Sequence, residues 1–257
     1  MPAQHPWSRY VAIGDSFAEG IGDPEPEAQG GYRGWADRVA EVLSAQHPDF
    51  AYANLAVRGK LLRGIREEQA EAALALQPDL IIVSAGGNDI LRPGTDPDEV
   101  AGRLDELLGL LGRDGATIAI FTGPDIGMRP VMRAIRGKVA IFNQHVYAIA
   151  RRHDAIVIDL WALRELADAR MWSDDRLHFS PLGHHTIAIH VLESLGVAHD
   201  LEPMAPPPLP PQSWRQARVG DLVWAREHLM PWVVRRLRGR SSGDGRPPKR
   251  PELHPLR

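Results

Sequence analysis

The sequence has 257 residues, with 30 lysines and arginines against 33 aspartates and glutamates, which gives a formal net charge of −3. Hydrophobic residues make up 44% and charged residues 25%, as is usual for a globular protein, and this balance gives no reason to expect nucleic-acid binding. Because cysteine is absent, a disulfide framework, a thiolate nucleophile and a cysteine-ligated metal are all excluded.

Targeting and membrane-spanning segments are not evident. The first residues, MPAQHPWSRY, lack the basic region and the following apolar region of a secretory signal. No apolar run approaches the ~20 residues that a membrane-spanning helix requires. We therefore expect a cytoplasmic protein, although the trimmed mature form of a secreted protein would show the same features.

Short apolar segments alternate with amphipathic ones along most of the chain. The apolar segments are rich in Val and Ile without strict alternation, as strands buried on both faces are: residues 9–13, 52–57, 79–85, 116–121 and 155–160. The amphipathic segments repeat apolar residues at spacings of three and four, as sheet-covering helices do: residues 35–46, 64–76, 98–112 and 138–153. This alternation predicts an α/β fold, a three-layer α/β/α sandwich around a mostly parallel five-stranded sheet.

One more helix is predicted over residues 180–196. Ser180 is a good N-cap, Pro181 suits the first helical position, and Gly196 can end the helix. This helix completes the α/β domain, which we place at residues 1–201.

The rest of the chain has a different composition. Clustered prolines predict an extended linker over residues 202–213, and residues 214–257 form an extension rich in Trp and Arg. Its end, rich in Pro, Gly and Arg, is predicted to be disordered. The apolar and basic residues of the extension fit two interpretations: packing on the α/β domain, or peripheral contact with a membrane surface.

Several familiar sites can be excluded. There is no phosphate-binding G-x-x-x-x-G-K-[ST] motif, and the nearest match to G-x-S-x-G, residues 14–18, fails at its last position. His184 and His185 are adjacent, which is a poor spacing for two ligands on one helix face, and H-E-x-x-H is absent. We expect neither a metal site nor a cofactor.

Five polar or flexible residues follow predicted strands. Ser16 comes after the first strand, Gly59 after the second and Asn88 after the third, while Asp175 and His178 follow the fifth. The carboxyl ends of parallel strands meet at one edge of a sheet, so these residues are expected to converge there. A hydroxyl, an imidazole, a carboxylate, an amide and a close-approaching backbone are the groups that acyl transfer needs.

These residues fall in four short motifs that resemble those of the GDSL/SGNH hydrolase family. The motifs are Gly14-Asp15-Ser16 followed by Phe17, then Gly59, then Gly86-Gly87-Asn88-Asp89, and finally Asp175-Arg176-Leu177-His178. Each motif alone is common by chance, and a serine after a strand more often caps a helix. Their family order across residues 9–195 makes the joint signal strong, and Phe17 in place of the eponymous leucine is a conservative change. The resemblance implies a flavodoxin-like SGNH hydrolase fold.

The resemblance also implies a role for each residue. Ser16 would be the nucleophile, His178 the general base, and Asp175 the carboxylate that orients the imidazole. Asp174 competes for the carboxylate role, but only Asp175 fits the D-x-x-H spacing. The backbone N–H groups of Ser16 and Gly59 and the side-chain amide of Asn88 would form the oxyanion hole.

We therefore predict a serine hydrolase that cleaves a small-molecule acyl or acetyl ester through an acyl-enzyme. Two alternatives stay open at this point: an acyltransferase with the same machinery, and a non-catalytic binding protein on this scaffold. The sequence specifies neither the acyl-chain length nor the oligomeric state. The segment GPDIGMRPVMRAIRGK follows the fourth strand, and its arginines 129, 133 and 136 fit either a solvated helix face, which we favour, or contact with an anionic substrate.

Overall fold

The computed structural model describes residues 5–127, 132–206 and 241–256, together with positions 208, 218, 223, 224, 226, 227 and 230. Within this part of the chain the strands are Arg9–Gly14 (β1), Ala51–Asn54 (β2), Leu80–Ser84 (β3), Thr117–Phe121 (β4), Ile156–Ile158 (β5) and Arg250–His254 (β6). The α-helices are Ser16–Glu19 (α1), Gly34–Gln46 (α2), Leu62–Ile65 (α3), Glu71–Ala75 (α4), Gly87–Ile90 (α5), Pro97–Leu111 (α6), Arg136–Arg152 (α7) and Pro181–Ser194 (α8). A π-helical turn, Arg66–Ala70, joins α3 to α4.

The strands form one sheet in the order β5-β4-β3-β1-β2-β6. Strands β1 to β5 are parallel, and Val11 at the centre of β1 lies beside Ala53 of β2 and Ile81 of β3. The chain places β2 on one side of β1 and β3 on the other, so the direction of winding reverses at β1. In open sheets of this kind a ligand crevice lies beyond the carboxyl ends of the strands at that reversal.

Both faces of the sheet are covered by helices. Along β1, Tyr10 and Ala12 belong to an apolar cluster shared with α2 and α8, whereas Val11 and Ile13 belong to a second cluster shared with α3, α6 and α7. This alternation follows from the two-residue period of a strand. The predicted α/β fold with three layers is thereby confirmed.

The predicted last helix begins where its capping residues indicate. The Ser180 side chain accepts a hydrogen bond from Gly183 N, and Pro181 occupies the first position of α8. In the part of the chain that the structure describes, no helix is both long and apolar enough to cross a membrane.

The sheet has one strand more than predicted. Strand β6 pairs antiparallel with β2, with Tyr52 opposite His254 and Asn54 opposite Arg250. The prediction of a disordered end is therefore wrong for residues 241–256: their composition cannot build a core, but pairing with the otherwise open edge of β2 supplies hydrogen bonds that local sequence does not reveal. The division into a domain, linker and extension stays a prediction, since much of residues 202–240 lies outside the described residues.

Candidate functional site

The end of β1 is built to expose Ser16. Gly14 has φ of +150°, and a Cβ there would overlap with the backbone oxygen of Ser84, so only glycine fits this position. The Asp15 side chain caps α1 by accepting a hydrogen bond from Phe17 N at 3.0 Å. Ser16 is the first residue of α1, where the backbone N–H has no partner within the helix.

A buried glutamine fixes the same strand end from the other side of the sheet. Gln69 lies in the π-helical turn and is almost fully buried. Its Oε1 accepts from Gly14 N at 2.8 Å, and its Nε2 donates to Gly14 O at 2.9 Å. The amide thus satisfies both backbone groups of the residue two positions before Ser16, a role that sequence reasoning missed because no motif marks it.

Asp175 and His178 lie on a tight turn just before α8. His178 Nδ1 is 2.6 Å from Asp175 Oδ2, and the other carboxylate oxygen accepts from the backbone N–H of Leu177 and of His178, each at 2.9 Å. The Ser173 hydroxyl donates to that same oxygen at 2.7 Å. With Nδ1 engaged by the carboxylate, Nε2 is the imidazole nitrogen left for another group.

The charge of Asp175 is strongly favoured. Burial alone would raise the pKa of Asp175, but the hydrogen bond and charge of His178, with the backbone and Ser173 donors, outweigh burial and hold the pKa below its ordinary value. The competing carboxylate, Asp174, is exposed. Of these two neighbouring carboxylates, Asp175 is the one hydrogen-bonded to the imidazole.

The extension also contacts this turn. Trp224 Nε1 donates to the backbone oxygen of Asp175 at 2.9 Å, and the Arg176 guanidinium lies 5.0 Å from the centre of the Trp224 ring. Arg176 has φ of +56°, a left-handed conformation that few non-glycine residues adopt. At Trp224, therefore, the extension packs on the α/β domain.

The β2–α3 loop (residues 55–61) carries Gly59, which has φ of +75°. The N–H groups of Val57, Arg58 and Lys60 donate to Gly14 O, to Glu19 Oε2 and to Val57 O, respectively. Among the described residues, Gly59 N–H has no hydrogen-bond acceptor. This is the state expected of a backbone donor reserved for a ligand, although Gly59 is not among the residues that line the cavity described below.

Asn88 is the second residue of α5, whose N-cap is the left-handed Gly86. Its Nδ2 donates to Asp15 Oδ2 at 2.9 Å and to the backbone oxygen of Lys60 at 3.1 Å. The amide therefore joins the Ser16 turn to the β2–α3 loop. A ligand oxygen that receives a hydrogen bond from Asn88 would have to share or replace one of these acceptors.

Asp15 is a buried carboxyl next to these donors. Burial, the largest cause, raises the pKa of Asp15 to about 6 and is helped by the nearby charge of Asp89; the hydrogen bonds from Phe17 N and Asn88 and the attraction of His178 oppose it. Asp15 and His178 both line the cavity described next.

Ser16, Asn88 and His178 line one cavity of about 190 Å³, with Asp175 behind the imidazole. The sequence places Ser16 and His178 far apart, and the fold brings both to the carboxyl edge of the sheet. The rest of the cavity wall is mainly apolar; its side chains include Phe17, Phe121, Ile126, Val139, Phe142 and Leu160.

Phe17, where the family motif has leucine, belongs to an aromatic cluster beside the turn of His178. Its ring centre lies 5.0 Å from that of Phe121, 5.5 Å from that of Trp35 and 5.3 Å from that of Phe179. The larger side chain therefore packs α1 against the residue next to His178.

Two of the other candidate residues, Arg133 and Arg136, do not line this cavity. Arg136 forms two hydrogen bonds with Asp125, at 2.6 and 2.7 Å, and Arg133 is exposed. Arg129 lies outside the described residues. In the described ranges no cluster of three or more His, Asp or Glu side chains has the arrangement of a metal site.

Comparison with known proteins identifies the family of this chain and solved structures that share its fold. The sequence profile of the GDSL-like lipase/acylhydrolase family matches residues 12–186. No curated protein sequence matches the chain.

Two solved structures illustrate the structural likeness. A catalytic mutant of Axe2, an acetylxylan esterase from Geobacillus stearothermophilus, is similar at 20% identity with a TM-score of 0.63, over 74% of this chain and 95% of that chain. LAE5, an alpha/beta hydrolase enzyme from the metagenome of Lake Arreo in Spain, is similar at 21% identity with a TM-score of 0.63, over 75% of this chain and 97% of that chain. At this identity the likeness shows a shared fold.

Proposed function

This chain belongs to the GDSL-like lipase/acylhydrolase family and is a carboxylic ester hydrolase, and we propose that it forms an acyl-enzyme on Ser16. The observation that carries the proposal is the 2.6 Å hydrogen bond between Asp175 and His178, together with the cavity that Ser16 and His178 both line. A serine hydroxyl becomes an effective nucleophile when a base within hydrogen-bond reach removes its proton.

The reaction has two halves. His178 Nε2 takes the proton as Ser16 Oγ attacks the ester carbonyl carbon, and the imidazolium returns that proton to the alkoxide as the ester's C–O bond breaks. Water then enters, and His178 removes a proton from it as its oxygen attacks the acyl carbon. The imidazolium returns that proton to Ser16 Oγ as the acyl–Oγ bond breaks, which releases the acid and restores the enzyme. Asp175 holds the imidazole in the tautomer with Nε2 free and stabilises its cation in each half.

The negative oxygen of each tetrahedral intermediate needs hydrogen-bond donors. We assign the backbone N–H groups of Ser16 and Gly59, neither of which has a partner among the described residues, and the side-chain amide of Asn88. One preorganised donor of this kind stabilises the transition state by about 3 kcal/mol.

The apolar cavity wall supports an ester with an apolar acyl group as the substrate. Aromatic and aliphatic side chains such as Phe121, Val139 and Phe142 offer an acyl chain burial from water and offer a sugar few hydrogen bonds. The acetylxylan esterase activity in the name of a structural neighbour would instead require the site to accept an acetyl group on a carbohydrate.

One panel of substrates tests both the nucleophile, Ser16, and the preference for an apolar acyl group. We expect kcat/KM on p-nitrophenyl esters to rise by about tenfold from acetate to hexanoate, since each buried CH₂ contributes up to about 0.8 kcal/mol. Ser16→Ala should lose at least about 10³-fold in kcat on every ester. Ser84→Ala is the matched control, because Ser84 is the other serine lining this cavity and should keep nearly full activity. Equal losses in the two variants would contradict the assignment of Ser16, and a preference for acetate would contradict the apolar substrate.

A further inference from the structure

We propose that the tail segment (residues 241–256) is a positioning element of the reaction, which holds the β2–α3 loop in the place where the Gly59 N–H can act as the oxyanion donor assigned above. This inference rests on the proposed function. It gives the end of the chain, beyond the residues that the family profile matches, a role in catalysis without contact to the substrate.

The tail segment lies directly against the loop. Ser241 Oγ donates to the backbone oxygen of Arg58 at 3.2 Å, and Gly243 N donates to Ser241 Oγ at 3.1 Å. A Cβ on Gly243 would overlap with the same Arg58 oxygen, and a Cβ on Gly59 would overlap with Ser241 Oγ. The backbone on both sides of the Arg58–Gly59 peptide bond is thus in close contact with the tail segment.

The tail segment is itself firmly anchored. Lys249 Nζ lies 2.9 Å from Asp37 Oδ1 and donates to the backbone oxygens of Tyr32 and Arg33, each at 3.0 Å. The side chains of Lys249 and Asp37 are only 2% and 5% exposed. A buried lysine with a carboxylate and two carbonyl partners fixes the chain six to eight residues after the loop contacts of Gly243 and Ser241. Strand β6 continues this anchor along β2.

The loop is also held by α1, the helix that begins at Ser16. Glu19 in α1 accepts from Arg58 N at 2.6 Å and from Arg58 Nε at 2.9 Å, and this ion pair is largely buried. The Glu19 and Ser241 contacts engage the N–H and the carbonyl oxygen of Arg58, and the Gly59 N–H follows directly after them in the chain. Because an oxyanion donor must sit within a few tenths of an ångström of its place to be effective, loss of one of the two supports should weaken the donor.

A positioning role has a kinetic signature. The Gly59 hydrogen bond would strengthen as charge develops on the carbonyl oxygen, so a displaced loop should lower kcat and leave KM nearly unchanged. Binding of an alkylboronic acid should weaken in parallel, because its tetrahedral adduct on Ser16 places an oxygen in the oxyanion hole. A merely structural support would lower the melting temperature without this split.

The test compares two neighbouring serines. Ser241→Ala removes the hydroxyl that contacts the loop, whereas Ser242→Ala changes an exposed serine in the same segment. We expect Ser241→Ala to lose about fivefold and Gly243→Ala about 30-fold in kcat, with the Ki of the boronic acid rising by similar factors, as a partial loss of one oxyanion donor requires. Ser242→Ala should match the wild-type enzyme in kcat, KM and Ki.

Unchanged kcat and Ki in Ser241→Ala and Gly243→Ala would overturn the inference, as would equal losses in Ser242→Ala. If Gly243→Ala does not fold, the Ser241 and Ser242 pair decides alone. Failure of the proposed function would be seen in a different variant. Ser16→Ala would then keep its esterase activity, whatever the tail variants do.

Discussion

At the scale of single residues, the buried carboxyl of Asp15 makes the stability of the protein depend on pH. Burial raises its pKa from 3.8 to about 6, so the folded protein disfavours the ionised form. Below about pH 4 the group is protonated in both the folded and the unfolded chain, and no cost arises. As the pH rises above 4 the unfolded chain releases this proton first, and the free energy of unfolding falls until both forms are ionised above pH 6.

Asp15→Asn should therefore stabilise the protein in a pH-dependent way. A shift of two pKa units corresponds to about 3 kcal/mol, and loss of a charged acceptor for Asn88 offsets part of it. We expect urea titrations to give the variant an advantage of about 2 kcal/mol at pH 8 that vanishes near pH 4. Asp174→Asn, a change at an exposed carboxylate, is the control and should show no such trend. A variant less stable than wild type at pH 8 would contradict the burial cost.

At the scale of elements, the π-helical turn supports the end of β1 through the hydrogen bonds between Gln69 and Gly14. Gln69→Leu would keep the size of the side chain but leave Gly14 N–H buried without an acceptor. One such unpaired group costs about 1–3 kcal/mol, so we expect that loss in the free energy of unfolding. We also expect a lower kcat, since Gly14 sets the position of Ser16.

Gln144→Leu is the matched control for this change. Gln144 is exposed on α7, so the same substitution there should alter stability by less than about 0.5 kcal/mol and leave kcat unchanged. Equal effects at the two glutamines would show that the contact with Gly14 contributes neither to the free energy of unfolding nor to kcat.

Sequence periodicity predicted the parallel strands and the large helices because these elements bury apolar faces of their own. The second strand is shorter than predicted, ending at Asn54, since the following residues turn into the loop that carries Gly59. The π-helical turn had no signal, because its register depends on the pairing of Gln69 with Gly14. Strand β6 was missed for a related reason: its sequence, RPELH, has no apolar alternation, and its stability comes from the edge of β2 and the burial of Lys249.

At the scale of the whole molecule, the site assembles from distant parts of the chain. Motif order and strand ends were enough to nominate Ser16, Gly59, Asn88, Asp175 and His178. The contacts that tie these groups together could not be predicted, because they join loops through single hydrogen bonds: Asn88 to Asp15, Arg58 to Glu19, and Ser241 to Arg58. The motifs nominate the groups that we propose react, and the fold brings Ser16, Asn88 and His178 to one cavity.

The central prediction is that Ser16 Oγ attacks the substrate and carries the acyl group in the acyl-enzyme. Active-site labelling tests it most directly. We expect a fluorophosphonate to add one phosphonyl group to the peptide that contains Ser16, faster than to any other serine. Labelling should disappear in Ser16→Ala and slow at least tenfold in Asp175→Asn, where the imidazole loses its carboxylate partner. A label on a different residue, or unchanged labelling in Ser16→Ala, would contradict the account.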